Sequence, residues 1–463
     1  MVSAFLAVVQ PLKAQEYWDL QKCIGWANDH NIQIRQQLLQ AKLEEASLLQ
    51  SRLNLFPTLN GQITNVFNYG KSVDQYTNSF ANDRVRSNNM YLSSSVTLFS
   101  GFQKFNAIQQ SKLNLEAAKY DTDKLRNDIS LSIATAYLQI LYNREVVAMA
   151  EQQLSNTILQ ADRTKILVDA KALTLGNLLE IQAQVANDEL NLVNARNQMD
   201  LSYLNLKQLL DLDTISDFQI AIPEITVEPK EILIKPDFLY SVALNRMPQV
   251  KSSEIKVESA KAGISISKGM MSPTLSLQGS VGTGYSEAAQ DVNMSFFYDV
   301  IGYTMAGDSV YGPGYDYSYK DKPFGDQIND NVNKSVGLYL SIPIFNGYQA
   351  RTAISRSKIA YMTSLLSYDL TKNMLRKEIE QAYNDAVAGY KKYMATQKAI
   401  TSMEESFSYT QKKFDVGAVN STDYNIAKNQ LLSAKSQFLQ AKYDYIFKTK
   451  VLDFYQGNPI TLK

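Results

Sequence analysis

The chain carries the same plan twice. Phe99-Ser100-Gly101-Phe102-Gln103 recurs as Phe345-Asn346-Gly347-Tyr348-Gln349, at an offset of 246 (345 − 99). The same offset pairs Ser111-Lys112 with Ser357-Lys358, Ala136-Tyr137 with Ala382-Tyr383, and Asp169 with Asp415. It also pairs Ala172 with Ala418 and Ala195 with Ala441, and no gap is needed across that span. Upstream, Pro57-Thr58-Leu59 matches Pro273-Thr274-Leu275 at an offset of 216. The extra residues of the second half therefore lie between about 285 and 333. A unit near 200 residues is too long for a solenoid repeat. The 463 residues therefore read as one fold duplicated, not as three domains of about 150 residues each.

Each half reads as helix, strand, strand, helix, helix. Residues 17–54 are rich in Gln, Leu, Ala and Glu without a breaker after Gly25, and Pro57 stops that helix. The period then changes to two. Leu59, Gly61, Ile63 and Phe67 alternate with Asn60, Gln62, Thr64 and Asn68; Met90, Leu92, Val96 and Leu98 alternate with Tyr91, Ser93, Ser95 and Thr97. In the second half Leu275, Leu277 and Val281 alternate with Ser276, Gln278 and Ser280, and Val336, Leu338, Leu340, Ile342 and Ile344 with Gly337, Tyr339 and Ser341. Four strands follow, at about 58–70, 89–99, 274–285 and 333–345, each with one apolar and one polar face.

Long helices fill the rest. No proline or glycine occurs from Phe102 to Val168, a run on the order of 100 Å as helix. Ile133, Ile140, Val147 and Leu154 recur every seven residues, with Ile129, Ala136 and Ala150 beside them, which predicts coiled-coil packing. A turn at 173–177 and a returning helix to about Leu210 complete the hairpin. The second half repeats it from Gln349 to Phe414, broken only by Gly389, then a turn at 416–421 and a helix from Thr422 to Tyr455. Asp415-Val416-Gly417 reads as a helix stop with glycine past the end.

Composition removes most chemistry. The 46 Lys+Arg balance 46 Asp+Glu, so bulk charge gives no reason to expect nucleic acid. One cysteine and one histidine cannot build a structural zinc site, a disulfide or more than one histidine-dependent catalytic centre. No phosphate-binding glycine motif is present. No cofactor, metal or catalytic residue is expected. Cys23 lacks a lipobox and reads as a buried thiol, and His30 as a helix-end residue.

Val2–Val9, followed by Pro11 and Lys13-Ala14-Gln15, reads as the end of a secretory signal peptide spanning 1–15. No later stretch has 18 apolar residues in a row, so membrane insertion, if any, is by strands. Strands of about ten residues suit that purpose, but four cannot close a barrel. Open edges are not tolerated in lipid, so several chains would share one barrel. Tyr69, Tyr91, Phe99, Tyr285, Tyr339 and Phe345 sit near strand ends, where an aromatic girdle belongs. The segment 286–332, rich in Tyr, Gly and Asp, reads as a solvated exterior loop narrowing the mouth, with a ligand-binding loop as the alternative.

The order of these pieces resembles the TolC-like outer membrane factors of tripartite efflux pumps and type I secretion systems. The resemblance runs from Leu20-Gln21-Lys22-Cys23-Ile24, with Ala27-Asn28 and Asn31, through Gly457-Asn458-Pro459. It includes the Pro57 and Pro273 joints, the Phe-x-Gly joints at 99–101 and 345–347, and Phe414-Asp415-Val416-Gly417 with Asp423 six residues after the glycine. It implies an α+β membrane protein with long coiled-coil hairpins and four transmembrane strands per chain. A homotrimer would share a 12-stranded barrel and an α-helical tunnel. The division would be a first repeat at 16–212, a linker at 213–236, a second repeat at 237–457 and a tail at 458–463. The implied partners are outer membrane lipid, a periplasmic adaptor and an inner-membrane transporter that supplies energy. The implied place is the outer membrane with a long periplasmic extension.

The resemblance also points to a gate at the hairpin tips. The family carries two acids after the Val-Gly pair; Asp423 keeps the first, and Ile426 stands in place of the second. By the 246 offset, Asn177 lies opposite Asp423 and Glu180 opposite Ile426, so Asp423 and Glu180 are the expected acidic constriction. Where the family can hold a locking arginine this chain has Val419, and Phe414 replaces its tyrosine partner, which points to hydrophobic closure instead. Adaptor docking is expected at Leu173, Thr174, Leu175, Val416, Gly417, Ala418, Val419, Asn420 and Ser421. The rival readings are a periplasmic coiled-coil scaffold with small soluble β-modules and, far behind, an enzyme with an acidic site on the hairpins.

Overall fold

The computed structural model describes residues 17–81, 84–212, 218–223, 229, 231–232 and 234–461. The expected signal segment at 1–15 and part of the 213–236 linker lie outside them. The helices repeat at the offsets read from the sequence. α1 (Leu20–His30) and α2 (Ile32–Leu53) return 216 residues later as α5 (Pro236–Arg246) and α6 (Pro248–Gly269). α3 (Gln103–Asp169) and α4 (Leu175–Leu209) return 246 residues later as α8 (Gln349–Asp415) and α9 (Ser421–Tyr455). The backbone repeats too. Left-handed residues pair as Gly101 with Gly347, Phe102 with Tyr348, Lys171 with Gly417, and Asp211 with Gly457.

The one helix expected over 17–54 is two. Asn31 leaves helical geometry at ψ 128°. Its Oδ1 accepts from the N–H groups of Gln33 (2.9 Å) and Ile34 (3.2 Å), capping α2. Met247 makes the same break at ψ 125°, and Pro248 opens α6, where a missing N–H is harmless.

The helical cores correspond position by position. Cys23, Ala27, Ile34, Ile133, Ile140 and Leu206 are buried in the first. Leu239, Ala243, Val250, Ile379, Ala386 and Leu452 stand at the offset positions in the second. Cys23 thus fills the place of a leucine. Burial, and then the Asp19 charge, pushes its thiol pKa up to about 12, so it packs as a small apolar group and not as a nucleophile. His30 does end α1, stacked at 3.7 Å on Trp26.

Four strands form one antiparallel sheet in the order β1-β4-β5-β8: β1 (Thr58–Asn68), β4 (Val85–Ser100), β5 (Thr274–Ser286) and β8 (Asn333–Ser341). The register aligns Ile63 with Met90, Leu92 with Val281, Val96 with Leu277, and Leu277 with Leu338. One face is therefore apolar across all four strands. The other aligns Gln62 with Tyr91, Ser93 with Ser280 and Ser280 with Ser335. A bulge between Thr97 and Phe99 breaks the alternation expected through Leu98, and sets Phe99 opposite Leu275. The last strand stops at Ser341 and not at 345, because Pro343 cannot donate to a ladder.

Among the described residues, the first interstrand segment holds two-residue strands, β2 (Ser72–Val73) and β3 (Phe80–Ala81). The second is not a plain loop. It forms a long hairpin of β6 (Gln290–Tyr303) and β7 (Ser309–Asp321), followed by α7 (Phe324–Asp330). By packing, the chain divides into two units. One comprises Met1–Glu45, Lys112–Glu258 and Met362–Lys463 and holds both helical cores. The other comprises Ala46–Ser111 and Ser259–Tyr361 and holds the strands. No described helix is long and apolar enough to cross a membrane.

Candidate functional site

The turns that join α3 to α4 and α8 to α9 lie together in the helical unit. In the first turn Lys171 is left-handed, and the N–H groups of Ala172 and Leu173 reach back to the Leu167 carbonyl (2.8 and 3.2 Å). Asn177 Oδ1 accepts from the Thr174 hydroxyl (2.6 Å) and the Thr174 N–H (3.3 Å), fixing the start of α4. In the second turn Gly417 is left-handed and the Ala418 N–H donates to the Lys413 carbonyl (2.8 Å), a glycine stop of the kind expected. The cap of α9 is Asn420, whose Oδ1 accepts from the Asp423 N–H at 2.8 Å. Asn177 and Asp423 are both the third residue of their helices, so the acid lies in a first turn that favours negative charge.

Side-chain hydrogen bonds join the turns. Arg163 Nη1 donates to Asp415 Oδ1 at 3.1 Å, and Thr422 Oγ1 donates to Glu180 Oε1 at 3.3 Å. Between them lies a cavity of about 450 Å³. Glu180, Asn177, Val419 and Phe414 all line it, as do Leu173, Gly417 and Asn420. Asp423 and Ile426 do not; both are exposed on α9. Thr174, Leu175, Val416 and Ala418 are exposed on the turns, with Val416 79% and Leu175 62% accessible. Ser421 opens α9.

Phe414 stacks on Tyr424 at 4.6 Å, and Tyr424 also meets Phe407 at 5.5 Å. Burial, and then Asp415, raises the Tyr424 pKa, so this phenol stays neutral. Farther along α9, Lys428 is buried. Its Nζ donates to Thr157 Oγ1 at 2.7 Å, and that hydroxyl donates to Asp188 Oδ2 at 2.5 Å. Gln184 and Gln153 complete the carboxylate's bonds (2.9 and 3.2 Å). Burial lowers the Lys428 pKa and the Asp188 charge opposes that. This chain of bonds ties α9 to both helices of the first hairpin.

Sequence reasoning missed Arg163, Asp415, Thr422, Tyr424 and Lys428 as site residues. Arg163 and Asp415 are 252 positions apart, and neither stands in a motif that announces the pair. Among the described residues, no group of three His, Cys, Asp or Glu side chains is arranged to hold a metal ion.

The family model described as "Outer membrane efflux protein" matches residues 24–211 and 239–457. Outer membrane protein TolC of Escherichia coli is 21% identical over 339 residues, 73% of this chain and 63% of TolC. The matched stretch thus spans somewhat less than two thirds of that relative. The crystallised outer membrane protein VceC of Vibrio cholerae superposes with a TM-score of 0.75 at 16% identity, covering 96% of this chain and 97% of VceC. A crystallised CusC gives 0.76 at 14% identity, covering 95% and 92%. The fold is that of these crystallised proteins, and the two matched stretches fall on the two repeats: the chain belongs to the outer membrane efflux protein family.

Proposed function

We propose that this protein is the outer membrane exit duct of a tripartite efflux pump or a type I secretion system, working as a passive homotrimer. The observation that carries the reading is the four-stranded sheet. Its register gathers apolar residues on one face, and the outer sides of its edge strands β1 and β8 are unpaired among the described residues. Four strands cannot close on themselves, and an open edge is costly in lipid. Three copies, pairing β8 of one with β1 of the next, would make a closed barrel of twelve.

As a member of this family the protein resides in the outer membrane and is not an enzyme. The family match leaves the scaffold reading without support. The entrance is proposed at the hairpin turns, with Asp423 and Glu180 as an acidic constriction and the Arg163–Asp415 and Thr422–Glu180 bonds holding the two hairpins of each protomer together. Carboxylates repeated threefold about an axis attract cations and slow anions. The exposed apolar tips Leu175 and Val416 suit docking of a periplasmic adaptor, which would link the duct to an energised inner-membrane transporter.

The deciding experiment is the mass of the detergent-solubilised particle from outer membranes, corrected for bound detergent. Three chains are expected. A monomer would leave the sheet unclosed and overturn the duct.

A further inference from the structure

The cavity of about 450 Å³ between the hairpin turns is built by four helices of one unit. α3 contributes Leu167, α4 contributes Ile181, and the end of α8 contributes Phe414. α9 contributes Tyr424, and the turn before it contributes Val419. These side chains give the cavity apolar walls. The Phe414 and Tyr424 rings stack 25° from parallel, so part of the wall is aromatic. The volume falls within the range of about 300–1,000 Å³ that holds small organic ligands.

One polar atom of the lining is left over. Asn425 Oδ1 is buried and has no hydrogen-bond partner. A buried acceptor without a donor is costly, and native structures keep few of them without a reason. It marks a place for a ligand's N–H or O–H group. The charges narrow the ligand further. Among the described residues, the charged side chains that line the cavity are Arg163, Asp415 and Glu180. Arg163 and Asp415 neutralise each other at 3.1 Å. Lys428, farther along α9, is turned to Thr157 at 2.7 Å, whose hydroxyl meets Asp188. Glu180 therefore leaves the lining with one net negative charge. It is exposed, which sets it at the rim, and it accepts from Thr422 Oγ1 at 3.3 Å. A carboxylate has about four acceptor sites, so that bond does not exhaust it. Aromatic faces attract cations as well.

We infer that this cavity is a binding site for a small organic cation, an aromatic body carrying a protonated amine. The body lies against Phe414 and Tyr424, and the ammonium donates to Glu180 and Asn425 Oδ1. An anion of the same shape meets the wrong charge at the rim and an acceptor with no proton inside. The bound cation touches α4, α8 and α9 at once, so it holds the two turns together beside the Arg163–Asp415 bond. Binding stands on the cavity alone. Its consequence, slower opening of the duct, rests on the proposed entrance.

The test is equilibrium dialysis of the purified full-length protein, with equal detergent on both sides. The probes are 4-phenylbenzylammonium and, with the same rings and the opposite charge, 4-phenylbenzoate. The cation should bind saturably, one per chain, and at least about tenfold more tightly than the anion. Asn425→Leu should weaken it by about fivefold or more. Val419→Trp, which fills the cavity from the turn, should abolish it, and carries the test alone if Asn425→Leu fails to fold. Absence of saturable binding would leave the orphan acceptor to water and overturn the proposal. So would equal binding of the anion, or binding indifferent to both variants. A loss in Asp423→Asn as large as in Asn425→Leu would put the probe on the exposed acid, outside the cavity, and would overturn it too. Single-channel recording separates the two levels. Saturable binding with unchanged opening frequency keeps the site and sinks only its link to the entrance.

Discussion

Arg163 and Asp415 meet at 3.1 Å across the two hairpins, one in the last turns of α3 and the other the final residue of α8. Both side chains are about half exposed (58% and 42%), so the pair adds at most about 1 kcal/mol to stability. Its leverage lies in position, because any parting of the hairpin turns must break it. Arg163→Ala and Asp415→Asn should each leave the melting temperature of the protein nearly unchanged and, if the hairpin turns form the proposed entrance, raise single-channel conductance. The swapped double variant, Arg163→Asp with Asp415→Arg, should restore low conductance. Failure of the swap to restore it would assign the single-variant effects to something other than this contact.

Asp423 stands exposed in the first turn of α9, its N–H capped by Asn420 and Glu180 held to the adjacent Thr422. Asp423→Asn keeps the shape and removes the charge. Block of conductance by divalent cations should weaken, and Glu180→Gln should weaken it further if both acids face the axis. Unchanged block in Asp423→Asn would remove that residue from the constriction and leave it as a helix-start charge.

What the sequence revealed followed from how local each signal was. Pro57, Pro273 and Gly417 act through their own backbone, and the structure turns where they stand. The break at Asn31 was invisible because its cap is a side-chain choice inside an otherwise good helix pattern. The bulge at Thr97/Phe99 needs a partner strand before it has meaning. Arg163–Asp415 and Lys428–Thr157 join residues hundreds of positions apart, which no spacing rule can pair. The β6–β7 hairpin was legible after all. Tyr315-Asp316-Tyr317-Ser318-Tyr319 alternates with period two, but its glycines and aspartates read as loop composition.

Lys171 and Gly417 occupy equivalent left-handed positions at the two turns, with φ of 60° and 73°. A lysine there costs about 1–2 kcal/mol, partly offset in a glycine by its larger loss of backbone freedom. Lys171→Gly should therefore stabilise the first turn by about 0.5–1 kcal/mol, and Gly417→Ala should weaken the second. Amide hydrogen exchange at the turns should slow by about two- to fivefold in the first variant and quicken in the second. Equal rates in all three proteins would mean the turns are held by contacts other than their own backbone.

The buried Lys428–Thr157–Asp188 bonds should respond unequally to substitution. Asp188→Ala leaves the Thr157 hydroxyl and two amides without their acceptor and the buried Lys428 ammonium without its counter-charge, a loss of about 3–5 kcal/mol. Lys428→Met removes the desolvated charge but keeps the Thr157, Gln153 and Gln184 bonds to Asp188, and should cost much less. Thermal unfolding of the two variants compares them. A larger loss in Lys428→Met would show that the ammonium is the indispensable member.

Tyr455 ends α9 at 9% exposure, packed in the second helical core. Burial, and then the charges of Glu378 and Asp128, pushes its pKa from 10.0 up to about 12. A phenol whose folded pKa lies above its unfolded one holds its proton more tightly when folded. Its contribution to stability is therefore complete below pH 10 and is lost as pH rises toward 12. Tyr443 and Tyr137 are raised in the same direction by burial, so the whole helical unit should weaken in that window. Tyr455→Phe has no proton to lose, and its melting temperature should fall less steeply than that of the native protein between pH 10 and 12. Parallel curves would mean that the Tyr455 hydroxyl already reaches solvent in the folded protein.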